Sequence, residues 1–251
     1  MDRWRGKVAI VTGASVGIGA AICYRLVEEG CLVVGLARRV EMVQQHAKGL
    51  QGKRGKLYAY KADLTVEEDI IKAFKWTLEN VGPVHILVNN AGTVTGGTDL
   101  ISGDTAKWRT VMDTNVIGLC IATREAIQIM KKRNIEGHII HINSVTGHST
   151  IYIPKINVYG ASKYAVTNLA ETLRKELIAE KINIKVSSVS PGLVDTAIIR
   201  HLCNDRKSEQ IVDEAPKLES EDVADSVAYI LSTPPNVHIT ELMIRPFGEL
   251  F

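Results

Sequence analysis

The residues best suited to chemistry are Tyr159 and Lys163, four positions apart in the stretch Y-G-A-S-K. On a helix two residues at this spacing share a face. A phenol has an ordinary pKa of about 10, and a neighbouring ammonium lowers it, which would make Tyr159 a usable proton donor and acceptor. Ser144 ends a predicted strand, and its hydroxyl is suited to holding a substrate oxygen. A Y-x-x-x-K spacing alone is common by chance, so its weight depends on the rest of the chain.

A glycine-rich turn follows the first apolar run of the chain. Its sequence is T-G-A-S-V-G-I-G over Thr12–Gly19, with the glycine spacing G-x-x-x-G-x-G. Glycines let a backbone turn tightly and approach a pyrophosphate, and the amides that begin the next helix then face the negative charge. Because this turn lies between a predicted strand and a predicted helix, it indicates a dinucleotide site.

The second apolar run ends in Ala37, Arg38 and Arg39. NAD-binding folds usually place an acidic residue here to hold the ribose hydroxyls, and that anchor is missing. A guanidinium fork matches the geometry of a 2′-phosphate. The pattern therefore predicts NADP(H) as the cofactor, with Arg38 as the main phosphate ligand and Arg39 either sharing that contact or facing solvent.

Two further groups of residues follow predicted strands, and each admits two interpretations. Asp63, before Leu64, either binds the adenine or caps the next helix. Asn90, in the stretch N-N-A-G that ends with Ala91 and Gly92, either lies against the cofactor or ties neighbouring strands together.

Short apolar runs alternate with longer helical patterns along the whole chain, with no repeat or linker. This alternation predicts an α/β protein with one domain over residues 1–251: a doubly wound Rossmann fold with about seven parallel strands and helices on both faces. Ligands then bind beyond the carboxyl ends of the strands. The predicted strands are Val8–Val11, Leu32–Leu36, Leu57–Tyr60, Ile86–Val88, Ile139–Ile142, Ile184–Val189 and Leu242–Ile244. The predicted helices are Ile18–Glu29, Glu41–Leu50, Glu67–Asn80, Thr105–Arg133, Tyr159–Glu180 and Glu221–Ser232.

The composition excludes several classes of protein. Of the 251 residues 30 are basic and 28 acidic, and this net charge of +2 gives no footprint for nucleic acid. The four cysteines form no C-x-x-C pair and have no zinc-site spacing, so we expect reduced thiols, no metal and a cytoplasmic location. The polar N-terminus predicts neither a signal peptide nor a membrane span.

Taken together, these motifs resemble those of the short-chain dehydrogenase/reductase family along nearly the whole chain. The resemblance implies that Tyr159 is the acid/base, that Lys163 holds the nicotinamide ribose, and that Ser144 orients the carbonyl. It also implies that Asn115 lies at a helix kink and holds a water of the proton relay. The cofactor contacts that it implies are Gly13, Ser15, Gly17, Ile18, Gly19, Ala37, Arg38, Arg39, Asp63, Leu64, Asn90, Ala91, Gly92, Tyr159, Lys163, Pro191, Gly192, Val194 and Thr196.

Within the family, the stretches R-W-R-G-K, L-A-R-R and I-R-P are similar to the insect farnesol dehydrogenase-like subgroup, itself similar to vertebrate NADP-dependent ketosteroid and carbonyl reductases. One departure concerns the interval from Ser144 to Tyr159, which is slightly longer than is usual in the family. The extra length falls in His148–Asn157 and alters the mouth of the predicted substrate site.

The sequence therefore predicts hydride transfer between NADP(H) and a lipophilic alcohol or carbonyl, isoprenoid such as farnesol or steroid-like. Apolar residues of Ile151–Pro154 and of a substrate-binding loop over residues 193–215 would line the pocket, or else pack these loops against the body. The helices Thr105–Arg133 and Tyr159–Glu180 are expected to form a homodimer or homotetramer. A non-catalytic dinucleotide sensor or scaffold is the alternative. A Ser/His hydrolase is disfavoured because no nucleophile elbow accompanies His141 and His148.

Overall fold

A seven-stranded parallel sheet forms the centre of the computed structural model, which describes residues 1–152, 154–197, 210 and 213–249. The strands are β1 (Val8–Thr12), β2 (Leu32–Ala37), β3 (Lys56–Lys61), β4 (Val84–Asn89), β5 (His138–Ile142), β6 (Lys185–Pro191) and β7 (Glu241–Ile244). Their order across the sheet is β3-β2-β1-β4-β5-β6-β7, and every neighbouring pair is parallel. The chain changes direction across the sheet between β1 and β4, which is where doubly wound folds bind ligands.

Helices cover both faces of this sheet. In the described residues they are α1 (Gly17–Glu28), α2 (Val40–Gly49), α3 (Glu67–Asn80), α4 (Thr105–Met112), α5 (Gly118–Lys132), α6 (Asn157–Ala179) and α7 (Ser220–Ser232). The predicted doubly wound α/β fold is confirmed.

The core consists of two apolar layers, one on each face of the sheet. Successive strand residues point to opposite faces, so Ala9 and Val11 of β1 pack with α1 and α7, whereas Ile10 packs with α3, α5 and α6. Strands buried on both faces explain why the apolar runs of the sequence are nearly continuous. Burial of this kind fixes the strand ends, and therefore fixes the edge that carries the site.

The prediction of one helix over Thr105–Arg133 was wrong in detail. The helix is interrupted by a π-helical turn at Asp113–Ile117, which separates α4 from α5. A π-turn keeps helical backbone angles, and this one contains no Gly or Pro. The hydrophobic periodicity therefore predicts one uninterrupted helix. The predicted helix Tyr159–Glu180 also differs from the structure, because α6 begins at Asn157, two residues before Tyr159.

Candidate active site

Ser144 and the start of α6 come together just beyond the carboxyl end of β5. Ser144 is buried, and its hydroxyl accepts a hydrogen bond from the Thr146 hydroxyl at 2.9 Å. The same hydroxyl lies close enough to the phenol of Tyr159, in the first turn of α6, to lower the pKa of that phenol. The predicted pair of hydroxyls is therefore brought together, although the residues are 15 positions apart in sequence.

Lys163 lies one turn further along α6, on the same face as Tyr159. Its side chain is only 6% exposed, and its Nζ donates to the carbonyl of Ile142 at 2.9 Å. The Nζ lies 5.7 Å from the centroid of the Tyr159 ring. Burial lowers the pKa of Lys163 to about 8. At neutral pH the ammonium is still mostly protonated, but by a smaller margin than that of an exposed lysine.

The Tyr159 phenol is protonated at neutral pH in this environment. Burial raises its pKa above the ordinary value, and the hydrogen bond with Ser144 acts in the opposite direction. A protonated phenol beside a serine hydroxyl is a suitable donor to an oxygen that is gaining negative charge. The lowering of the Tyr159 pKa by Lys163, which the sequence predicted, stays a prediction.

Asn115 lies in the π-turn and connects three parts of the site. Its Oδ1 accepts from the amide of Thr93 at 2.8 Å, and its Nδ2 donates to the Thr93 carbonyl and to the Ser162 hydroxyl, both at 3.0 Å. Ser162 in turn donates to the carbonyl of Tyr159 at 2.7 Å. Asn115 therefore fixes the chain after β4 against the first turn of α6, at the helix irregularity where the family resemblance places it.

The glycine turn between β1 and α1 is held closely against the end of β4. Gly13 and Gly17 have positive φ values of 70° and 57°. A Cβ on Gly19 would lie 2.3 Å from the Gly13 carbonyl, so no larger residue fits there. Val16, which precedes α1, gives the helix no side-chain cap. The first amides of α1, at Gly17, Ile18 and Gly19, are thus available to an anion.

Asn90 acts as a structural tie, which favours one of its two interpretations. Its Nδ2 donates to the carbonyls of Thr12 at 2.9 Å and Gly13 at 3.2 Å. The Thr12 hydroxyl accepts from the amides of Asn90 and Ala91. These bonds place Ala91, and Gly92 beyond it, beside the glycine turn. A further contact of Asn90 with a cofactor stays a prediction.

Ala37 is buried at the end of β2, and Arg38 and Arg39 follow it on the surface. The Nη2 of Arg39 donates to the Ser15 hydroxyl at 3.4 Å, which links the arginine pair to the glycine turn. His46 of α2, which the sequence did not single out, contacts the Ser15 carbonyl through its Nε2 at 3.0 Å. Nothing local in the sequence marks His46, because the contact joins the last turn of α2 to the glycine turn before α1.

Asp63 is engaged in a local turn. Its Oδ1 accepts from the amide and the hydroxyl of Thr65, at 3.0 and 2.8 Å, and neither bond caps α3 directly, since that helix begins at Glu67. Leu64 is buried, and its carbonyl oxygen lies so close to Gly118 that a Cβ added to Gly118 would be only 2.4 Å from it. Leu64 thus serves the packing of α5 against the sheet.

The chain after β6 returns to the glycine turn. Gly192 donates from its amide to the carbonyl of Ile244 at 2.8 Å, directly after Pro191. Val194 pairs with Leu218 in a short bridge. The methyl of Thr196 lies 3.4 Å from the position a Cβ on Gly17 would take. Thr196 therefore lies beside the start of α1, and contacts of Pro191, Gly192 and Val194 with a cofactor stay a prediction.

Comparison with known proteins agrees with this geometry. The family described as short chain dehydrogenase matches residues 7–207. The chain belongs to the short-chain dehydrogenase family.

Two relatives cover this short-chain dehydrogenase completely. It is 49% identical over 254 residues to a protein of Aedes aegypti named farnesol dehydrogenase, and 45% identical over 255 residues to dehydrogenase/reductase SDR family member 11 of Gallus gallus, with 100% of each chain covered in both cases. The farnesol dehydrogenase-like resemblance of the sequence is confirmed.

Solved structures of similar proteins share the fold. One, titled as the closed form of serine dehydrogenase complexed with NADP+, has a TM-score of 0.86 and 30% identity, and the match covers 97% of this chain and 96% of the other. Another, a short-chain dehydrogenase/reductase from Burkholderia phymatum in complex with NAD, has a TM-score of 0.85 and 26% identity, with 97% and 90% covered. A dinucleotide cofactor is therefore supported for this short-chain dehydrogenase.

The segment before α6, which the sequence predicts at the substrate mouth, is joined to the chain after β4. Thr98 is fully buried, and both its amide and its hydroxyl donate to the carbonyl of Lys155, at 2.8 and 3.1 Å. This bond ties the chain after β4 to the lengthened segment before α6. Tyr152 of that segment is 77% exposed. Ile153, residues 198–209 and residues 211–212 lie outside the described residues, and so do most apolar positions of the predicted loop at 193–215.

The described residues contain no group of three or more His, Cys, Asp or Glu side chains that could hold a metal ion. None of the helices formed by the described residues is both long and apolar enough to cross a membrane.

Proposed function

We propose that this short-chain dehydrogenase transfers a hydride between NADP(H) and a lipophilic alcohol or carbonyl, with Tyr159 as the acid/base. The observation that carries the proposal is the grouping of Ser144, Tyr159 and Lys163, with the Lys163 Nζ 5.7 Å from the centroid of the Tyr159 ring, beside a glycine turn suited to a dinucleotide. An inactive sensor or scaffold would have no need of this buried set.

The residues around the glycine turn fit a dinucleotide. The uncapped first turn of α1 offers free amides to a pyrophosphate, and Thr196 lies against the same turn. Arg38 and Arg39 lie exposed just after the small buried Ala37, as a 2′-phosphate would require. When bound, the nicotinamide supplies the hydride chemistry, and the protein supplies position and a proton.

NADP(H) is proposed over NAD(H) on the basis of the end of β2. No carboxylate occupies the position after β2 that grips the ribose hydroxyls, because Ala37 stands there. Similar solved structures carry either dinucleotide in their titles, so the choice depends on this chain's own arginines.

Three side chains divide the work at the substrate oxygen. In reduction Tyr159 donates its proton to the developing alkoxide, and in oxidation it accepts that proton from the alcohol. Ser144 holds the same oxygen, since its hydroxyl already contacts the phenol. Lys163 is anchored by Ile142 beneath the ring and stabilises the phenolate when it is charged. Asn115 keeps the first turn of α6 in register with the chain after β4.

The substrate proposed is an isoprenoid alcohol such as farnesol, or a steroid-like carbonyl. The Aedes aegypti relative at 49% identity bears the name farnesol dehydrogenase. The segments at the mouth contribute apolar side chains, including Ile151 and Tyr152. A pocket of this kind favours a lipophilic molecule over a sugar or an acid.

Self-association through α5 and α6 is part of the proposal. These helices flank a surface groove of about 330 Å³ whose lining combines apolar residues with polar and charged ones. The apolar members of this lining are Leu119, Cys120, Ile127, Leu169 and Leu173. We expect a homodimer or homotetramer, and light scattering at micromolar concentration that gives a monomer mass would contradict this.

We also propose a cytoplasmic location, where the free thiols Cys23, Cys31 and Cys120 would stay reduced.

A screen of NADPH oxidation tests the function. The purified protein is assayed with isoprenoid, steroid and quinone carbonyls, and NADPH binding is measured by fluorescence in the same preparation. Turnover of at least one lipophilic carbonyl is expected. Tight NADPH binding without turnover across the panel would instead support the sensor or scaffold.

A further inference from the structure

The carboxylate of Glu249, near the chain's C-terminus, is buried beside the cleft. Its side chain is only 3% exposed. A carboxylate is costly to remove from water unless hydrogen bonds and an opposite charge compensate it. Glu249 has both, because its Oε1 accepts from the amide of Leu193 at 2.8 Å and its Oε2 accepts from Nη1 of Arg245 at 2.7 Å.

The turn that delivers this carboxylate is well defined. Gly248 has a φ of 88°, which favours glycine, and the amide of Glu249 donates to the carbonyl of Pro246 at 3.2 Å. The chain therefore reverses directly after β7 and brings Glu249 back over the end of β6. The Arg245 guanidinium, four residues earlier, holds the carboxylate from the other side.

The carboxylate also fills the space above Gly192. A Cβ on Gly192 would lie 2.5 Å from Oε1 and 2.6 Å from Oε2 of Glu249. Any side chain at this position would have to displace the carboxylate. The fit therefore requires a residue without a side chain at position 192, Gly192, and it uses only the backbone amide of Leu193.

The backbone held in this way is part of the cofactor cleft. Pro191, Gly192, Val194 and Thr196 are the residues proposed to contact the nicotinamide half of the cofactor, and Thr196 already lies against the glycine turn. We propose that Glu249 is a positioning residue for cofactor binding, which fixes the 191–196 backbone through the Leu193 amide. This inference rests on the proposed function, since it assigns Glu249 to the same dinucleotide site.

The test compares NADPH affinity in three variants of the full chain with the parent. Glu249→Ala removes the carboxylate, and Glu249→Gln keeps an oxygen that can accept from the Leu193 amide. Glu28→Gln is the matched control, because it removes an exposed carboxylate that pairs with Lys53 at 2.9 Å at the opposite end of α1 from the glycine turn. Fluorescence titration gives the dissociation constant for NADPH, and thermal unfolding without cofactor reports stability separately.

We expect Glu249→Ala to weaken NADPH binding by about tenfold, which corresponds to the cost of ordering about one released backbone residue when the cofactor binds. Glu249→Gln should recover most of this loss, and Glu28→Gln should bind as the parent does. A purely structural role would lower the unfolding temperature of Glu249→Ala and leave its NADPH affinity unchanged, which would overturn the inference. Affinity of Glu249→Gln as weak as that of Glu249→Ala would overturn it too. Failure of the parent itself to bind NADPH would instead contradict the proposed function.

Discussion

The stretch from Ser144 to Lys163 differs sharply between its two ends and its middle. At one end Ser144 is buried and hydrogen bonded to Thr146, and at the other end Lys163 is anchored to the Ile142 carbonyl. Between them Tyr152 protrudes into solvent. The proposed reacting groups are thus fixed by contacts with the core, whereas the predicted substrate mouth depends on exposed side chains.

This difference suggests how chemistry and specificity are separated in the chain. The buried set depends on several elements at once, so it can change little without loss of the reaction. The exposed mouth is joined to the rest of the chain by hydrogen bonds such as that from Thr98 to the Lys155 carbonyl. Its side chains can vary without breaking those bonds. Changes in the buried set should therefore affect turnover, and changes in the mouth should affect substrate affinity.

The largest effect is expected at Tyr159. Replacing it by Phe removes the proton donor and should lower kcat by about 10² or more, the range typical for loss of acid–base catalysis. Cofactor affinity should be largely kept. Tyr164→Phe, which removes an exposed phenol from the same helix, is the control and should keep full activity. Steady-state kinetics decide the matter, and near-normal turnover in Tyr159→Phe would remove the proposed role.

The next effect concerns the cofactor. Arg38→Ala should weaken NADP by about ten- to hundredfold and leave NAD nearly unchanged, because a charge-assisted bond is worth roughly 1.5–3 kcal/mol. The double change Ala37→Asp with Arg38→Ala should reverse the preference. Arg39→Ala is the informative comparison, since Arg39 already contacts Ser15. Equal harm to both cofactors in Arg38→Ala, or a parent that prefers NAD, would refute the interpretation of these arginines.

A pH effect on stability should follow from the buried imidazole of His141. Burial, with the Lys163 charge as a smaller cause, lowers the pKa of His141 to about 4, whereas the unfolded value is about 6.5. Between these values the unfolded chain binds the proton and the folded chain does not. The stabilisation is therefore complete above about pH 6.5 and is lost as the pH falls towards 4, at about 1.4 kcal/mol per pH unit.

Urea unfolding at about pH 7 and about pH 5 measures this loss. His141→Gln keeps an amide that can meet Asn89, the partner of the imidazole at 3.1 Å. The variant should lose about 2 kcal/mol less than the parent over this interval, by the same linkage relation. An identical loss in parent and variant would show that His141 does not titrate as described.

The smallest effect is expected at the mouth. Tyr152→Ala removes an exposed aromatic side chain and should raise KM for a lipophilic alcohol by about fivefold at most, equivalent to about 1 kcal/mol of apolar contact. NADPH affinity should not change. A large fall in kcat with unchanged KM would contradict the separation of chemistry from specificity.

Much of the fold and the centre of the site follow from local patterns in the sequence. The glycine turn at Gly13–Gly19 and the Tyr159–Lys163 spacing are local, and nearly continuous apolar runs predict strands buried on both faces. Tertiary contacts account for what was missed. The π-turn at Asp113–Ile117 contains no Gly or Pro that would mark a break in a helix. Glu249 reaches Leu193 across 56 positions, and no local pattern marks a contact at that separation.

The most direct test of the central claim is a double-mutant cycle on Ser144 and Tyr159, measured as kcat for oxidation of farnesol with NADP+. If both hydroxyls act on one substrate oxygen as a unit, Ser144→Ala with Tyr159→Phe should be no slower than Tyr159→Phe alone by more than about threefold, because groups that act together are not additive. Losses that multiply across the two positions would show that the hydroxyls act independently and would contradict the account.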